Sequence, residues 1–275
     1  MAQSRERSDE RARPRPSRKV WGVTLFAFLL MYVPLITLVT FSFRGSTAGP
    51  GSPEVWTLHW YRKLLTNESI LDACALSLWI AFLSTTVSCV LGTMAAYAAT
   101  KFRWPGRGAF KVLTHFPLIM PEIVLGLALL VWFVALRISL GVFSVVLAHV
   151  TFSVSYVIIN VMTRLGELDS SLDEAALDLG ATPAQIFWRV TFPLIGQAIF
   201  SGGVMAFTLS FDDFLITFFV SGAGADTLPL KIYSMIKFGV SPEVNALSTL
   251  LVAFTFVVMF VGSRMGGAAR WRVGN

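Results

Sequence analysis

Six apolar runs, each long enough to cross a bilayer, constrain this chain more than any other feature. They lie at about Val20–Phe43, Ala73–Thr100, Val112–Leu136, Val142–Thr163, Gln197–Val220 and Val244–Gly262. A hydrocarbon layer about 30 Å thick takes about 20 helical residues to span. Backbone N–H and C=O groups meet no water there, so each run must satisfy its own hydrogen bonds as a helix. The expectation is an all-α membrane protein with six transmembrane helices. Composition agrees: 55% of residues are hydrophobic, 14% are charged and the mean hydropathy is +0.69. A soluble domain carries about 25% charged residues.

A net charge of +6 invites a nucleic-acid reading, but the placement of the cations argues against it. One side of the bundle holds Arg5, Arg7, Arg11, Arg13, Arg15, Arg18 and Lys19, then Lys101, Arg103, Arg107 and Lys111, then Arg164 and Arg189, then Arg264, Arg270 and Arg272. The other holds Arg44, Arg62, Lys63, Arg137, Lys231 and Lys237. The positive-inside rule puts the richer side, and both termini, in the cytoplasm. Residues 1–19 read as a disordered basic tail. The run that follows is too long for a signal-peptide core. The chain then divides into a first helix (20–43), an extracytoplasmic loop (44–72), a core (73–262) containing a polar interruption (164–196), and a second cytoplasmic tail (263–275).

The polar interruption reads as two short helices joined by a turn. Ser171 and Glu174 have capping-box spacing. Leu172, Ala175, Ala176 and Leu179 fall on one face. Gly180 stands where a helix stop wants positive φ. Thr182, Pro183 and Gln185 restart the helix with a cap, a first-turn proline and a second box. Pro193 follows before the next apolar run. So small a unit cannot bury its own apolar face and needs a partner, which the membrane surface would also supply.

The membrane helices carry unexpected polar groups. The second has Ser84, Ser88, Gly92 and Ala96 at four-residue spacing, a seam that lets helices approach closely. The third has Pro117, Pro121 and Glu122 near its middle, where freed carbonyls and a carboxylate must face neighbours or a water-lined path. In the fourth, His149, Ser153, Tyr156, Asn160 and Thr163 form one stripe, equally suited to a pore lining or a hydrogen-bonded seam. The fifth carries Asp212 and Asp213 in its outer half, about 100° apart around the helix. Ser210, Asp213 and Thr217 share a stripe. No Lys or Arg in that helix neutralises the pair, and intramembrane carboxylates mark pathways by default. A cationic substrate would supply the missing charge. Asp212, Asp213, Glu122, Tyr156, Asn160 and Ser153 are the pathway candidates. Which Asp faces the path is open.

Other chemistries find no motif. No lysine follows a glycine, so there is no Gly-Lys-Ser/Thr phosphate loop. The three histidines are scattered. Cys74 and Cys89, fifteen residues apart on one helix, lie about 22 Å apart, beyond disulfide reach.

Glu174-Ala175-Ala176, then Asp178, Gly180 and Pro193, resemble the EAA loop of ABC-importer membrane subunits. Phe207–Phe214, Leu228–Lys237 and Ser241–Leu247 resemble the second membrane subunit of bacterial spermidine/putrescine importers. The resemblance implies a type I importer permease fold in the bacterial inner membrane, without catalytic residues, metal or cofactor of its own. It implies a second permease subunit, two ATPase subunits that bind ATP and Mg and dock on the 174–193 loop, and a periplasmic or lipid-anchored binding protein. The function implied is ATP-driven import of a polyamine by alternating access. The same architecture carrying another amine, an amino-acid derivative or an anion stays open, as does a membrane scaffold.

Overall fold

The computed structural model describes residues 18–45, 55–169, 171–237, 239 and 242–270. The basic tail through residue 17, the turn residues Gly49, Pro50, Gly51 and Pro53, and Phe238, Ser241 and Arg272 lie outside them. Twelve helices follow in chain order among the described residues. They are α1 (Arg18–Ser42), α2 (His59–Thr66), α3 (Glu68–Lys101), α4 (Arg107–Ile119), α5 (Glu122–Ala135), α6 (Val142–Glu167), α7 (Ser171–Asp178), α8 (Pro183–Ile186), α9 (Phe192–Asp212), α10 (Leu215–Val220), α11 (Leu228–Lys237) and α12 (Pro242–Arg270). A two-residue hairpin, β1 (Arg44–Gly45) against β2 (Val55–Trp56), closes the first loop.

The core is a three-helix wedge of α3, α6 and α9. Small residues let it close. A Cβ on Gly92 would stand 2.8 Å from Val157 Cβ, and one on Gly202 3.0 Å from Val157 Cα. A Cβ on Gly203 would meet Cys89 Sγ at 3.0 Å. Ser84, Ser88 and Ala96 of the expected seam are buried with them. Among the described residues α1 lies against α12 alone among the larger contacts and stays exposed over its first four turns, with Ser42 at its end buried.

Two of the six expected spans are broken. The third is not one helix: α4 and α5 meet at a 110° bend. Pro121 disfavours helical geometry at the residue before it, and Met120 is extended (ψ 136°). Glu122 therefore opens α5 rather than sitting mid-helix. The fifth span stops at Asp212, because Asp213 is extended (φ −63°, ψ 124°). At its other end that span starts early. α8 runs into α9 through a π-helical turn, Phe187–Thr191. The Phe192 N–H donates to Phe187 O, so the wider turn carries Pro193 within the first turn of α9. Pro193, which stands before the fifth apolar run, does not interrupt the helix.

At the end opposite α7, the loop aromatics staple elements together. Tyr61 Oη lies 2.6 Å from Ser42 Oγ, and Trp60 Nε1 donates to Arg44 O at 2.9 Å. Trp56, unlike Trp60 and Tyr61, is largely exposed. α11 tucks across α3: Leu228 N–H donates to Ser77 Oγ at 2.7 Å. Lys63 pairs with the buried Glu243 at 2.7 Å.

Candidate functional site: a carboxylate recess between two helix breaks

The two breaks lie side by side. α5 packs on α10 through Gly126, where a Cβ would meet Phe219 Cδ2 at 2.9 Å and Ile216 Cα at 3.2 Å. Between the breaks and α6 opens a recess of about 370 Å³, lined by Glu122, Phe152, Tyr156, Asp212, Asp213 and Phe214 among others. A second recess of about 320 Å³, under α11 and α12, shares Asp212 and Phe214 with the first. Asp212 thus borders both. A larger hollow of about 860 Å³ by the hairpin is lined by Trp56, His59 and Arg62. It lies apart from the carboxylates and beside residues outside the described set, so the chemistry points to the smaller recesses.

The two aspartates have different surroundings. The Asp213 side chain is 6% exposed. Its Oδ2 accepts from Thr217 N–H at 2.8 Å and Thr217 Oγ1 at 2.7 Å, and its Oδ1 accepts from Ile216 N–H at 3.4 Å. From one residue before Phe214, the N-cap position, its side chain thus takes up free N–H groups at the start of α10. His149 Nε2 sits 3.3 Å from the same Oδ2 and 2.9 Å from Thr217 Oγ1. The other imidazole nitrogen reaches Ser210 Oγ at 2.7 Å, which in turn lies 2.9 Å from Ser84 Oγ. A buried chain of hydrogen bonds thus runs from α3 through α9 and α6 to α10. Asp212, one residue earlier, is exposed to the recess, as is Glu122.

The polar stripe of α6 divides. Tyr156 faces the recess. Ser153 is fully buried and away from the recess lining. The Asn160 amide donates to Tyr156 O at 2.9 Å, and its Cβ lies 3.5 Å from where a Gly202 Cβ would stand. Ser153 and Asn160 therefore belong to the helix seam rather than the recess. His149 is the residue the sequence underrated. It stood in the stripe, but its partner is 64 positions away, and no local pattern announces such a pairing.

At the opposite pole, α7 forms as expected in outline. Gly180 has φ +79°. Gly180 N–H donates to Leu177 O at 2.8 Å and Ala181 N–H to Ala176 O at 3.0 Å, the pair that closes a Schellman stop. Thr182 and Gln185 make the expected box: Thr182 N–H donates to Gln185 Oε1 at 2.8 Å and Gln185 N–H to Thr182 Oγ1 at 3.4 Å. The start of α7 differs. Asp169 Oδ1, not a Ser171–Glu174 box, accepts from Ser171 N–H at 3.0 Å. The Ser171 bonds hold the Asp169 carboxyl below its usual range. Glu174, Ala175 and Asp178 are exposed, Ala176 half-buried, and Leu172, Leu177 and Leu179 present an uncovered apolar surface.

Over residues 88–272 the chain matches the family described as the binding-protein-dependent transport system inner membrane component. The chain belongs to this family. The matched stretch holds both helix breaks, the recess and the loop from α7 to Pro193. The putrescine transport system permease protein PotI of Escherichia coli (strain K12) is 42% identical over 256 residues, covering 89% of this chain and 90% of that protein. The spermidine/putrescine transport system permease protein PotC of the same organism is 39% identical over 244 residues, covering 89% and 92%. A chain of a bacterial ABC transporter involved in import of the acidic polysaccharide alginate superposes with TM-score 0.69 at 18% identity, over 91% of this chain and 99% of that one. A chain of the MetNI methionine ABC transporter gives TM-score 0.62 at 20% identity, over 72% and 95%. At these identities the likeness is one of fold, the type I importer permease. The chain is thus an inner-membrane permease component of an ABC importer, a kind of subunit that works with a partner permease, ATPases and a substrate-binding protein.

Proposed function

We propose that this permease passes a polyamine-type organic cation, and that Glu122 and Asp212 are the groups that meet it. One observation carries the reading: of three carboxylates at the paired breaks, Asp213 is bonded by His149 and Thr217, whereas Asp212 and Glu122 open on the recess. Among the described residues no Lys or Arg lines either recess, so an anion would meet only like charge there. Tyr156 and Phe214 supply aromatic faces to which an ammonium group is attracted, about 0.5–2 kcal/mol each. The relatives named for putrescine and spermidine transport support the same cargo class.

The basic end of the bundle faces the cytoplasm. There the exposed leucines of α7, with Glu174, Ala175, Ala176 and Asp178 along it, seat in a groove of an ATPase subunit. That partner holds ATP and Mg. A paralogous permease completes the pathway, and a periplasmic or lipid-anchored protein delivers cargo to the opposite end. ATP binding moves α7 as a unit held by Gly180 and Pro193, and access to the recess alternates.

The test is uptake of labelled putrescine and spermidine by cells expressing the whole system. Asp212→Asn and Glu122→Gln should each lower uptake about fivefold or more at equal assembly, a change of about 1 kcal/mol. Wild-type uptake by both variants would reject the cation assignment. Uptake of an anionic solute in its place would reject the cargo class.

A further inference from the structure

α7 packs on α8 and, among the described residues, has no other extensive contact. Among the described residues, a single side-chain bond ties it to the membrane bundle: Lys101 Nζ to Asp173 Oδ2. Local physics places both partners. Lys101 is the last residue of α3, where the negative end of the helix dipole favours a cation. Asp173 lies in the first turn of α7, where the positive end favours an anion. The pair is about three-quarters buried, with side chains 24% and 29% exposed, so it is less screened than a surface pair.

α3 is an unbroken helix of 34 residues. Seventeen positions above Lys101, about 25 Å at 1.5 Å per residue, Ser84 hydrogen-bonds Ser210 and so joins the His149–Thr217–Asp213 chain beside the recess. Midway along that length α3 is held closely by both neighbours, Gly92 against Val157 of α6 and Cys89 against Gly203 of α9. We propose that Lys101 and Asp173 form the latch through which α7 moves α3, and that Ser84 delivers the motion to the helix breaks. Both are positioning residues; neither meets cargo. This rests on the reading of α7 as the ATPase-contacting helix, but not on the cargo.

The experiment uses the whole transporter in lipid nanodiscs, with Cys74→Ser and Cys89→Ser and a single reporter, Leu118→Cys, on the recess wall. Its rate of reaction with a charged thiol reagent is measured with and without trapping by MgATP and vanadate. With the latch intact, trapping changes that rate about fivefold or more, the lower range of coupling between distant sites. Lys101→Ala removes the change while the ATPase still co-purifies, and Lys101→Asp with Asp173→Lys restores it. If Lys101→Ala loses the ATPase, Lys101→Met, which keeps the stem, takes its place. A Lys101→Ala protein that responds as fully as the unaltered one overturns the latch and leaves the role of α7 standing. Loss of response in the swapped pair also overturns it. No response in the unaltered protein overturns the role of α7 and the latch together, and uptake assays report on cargo separately.

Discussion

His149 Nε2 lies 3.3 Å from Asp213 Oδ2, and neither side chain is open to solvent: the imidazole is 0% exposed and the carboxylate 6%. The pair explains how a carboxylate is tolerated at a break within a membrane span. It also fixes the start of α10, because the same oxygen accepts from Thr217 N–H.

Replacing His149 by Leu leaves Asp213 buried beside an apolar group. Leaving a buried acceptor without one of its donors costs about 1–3 kcal/mol. A clear drop in the thermal unfolding midpoint of the purified complex is expected, and an unchanged midpoint would show that Asp213 finds other partners.

Asp213→Asn and Asp212→Asn should separate. An Asn at 213 can still accept from Thr217 N–H and Oγ1 through its amide oxygen, so most of the cap persists, while the bond from Ile216 N–H and the anion beside His149 are lost. Its main effect is on stability. Asp212→Asn removes charge from a side chain that, among the described residues, bonds only its own backbone, and acts on uptake. Equal effects of the two on both measurements would contradict the division of labour.

Gly92→Val pushes a branched side chain into Val157, whose Cβ already lies 2.8 Å from the position of a modest methyl. Overpacking of this kind costs about 1–3 kcal/mol or more. Low yield and a reduced unfolding midpoint are expected, with Gly92→Ala milder.

Gly180 has open space around its Cα but φ +79°. Gly180→Asn, which tolerates that conformation, should keep uptake. Gly180→Trp should leave the complex assembled yet stop uptake, because the bulk stands on the face offered to the ATPase. Normal uptake by the Trp variant would remove the loop from the coupling step.

The helices of this fold were legible because lipid leaves the backbone one choice, and hydropathy reads that choice directly. The EAA loop was legible through local signals: Gly180, and Thr182 with Gln185. The bend at Pro121 had its signal in the sequence, yet a continuous apolar run masked it. The break at Asp213 has neither Gly nor Pro. It arises because an Asp side chain can take the N–H groups of the following turn, and in a membrane that competes well when a distant His149 compensates. The π turn before Pro193 is a compromise between a proline and a helix that continues, and no pattern of apolar spacing reports it. Ser153 and Asn160 carried the period of a pathway, but a stripe of polar residues serves a seam equally well, and only packing against Gly202 and its neighbours decides.

Each helix break consists of two adjacent residues with separate duties. Pro121 and Asp213 bend the chain; Glu122 and Asp212 beside them have no part in the bend. Under the proposed cargo role of Glu122 and Asp212, mutational drift at the second member of each pair would retune what the transporter accepts while the scaffold is inherited intact. A lineage could change its diet by two codons and keep its architecture.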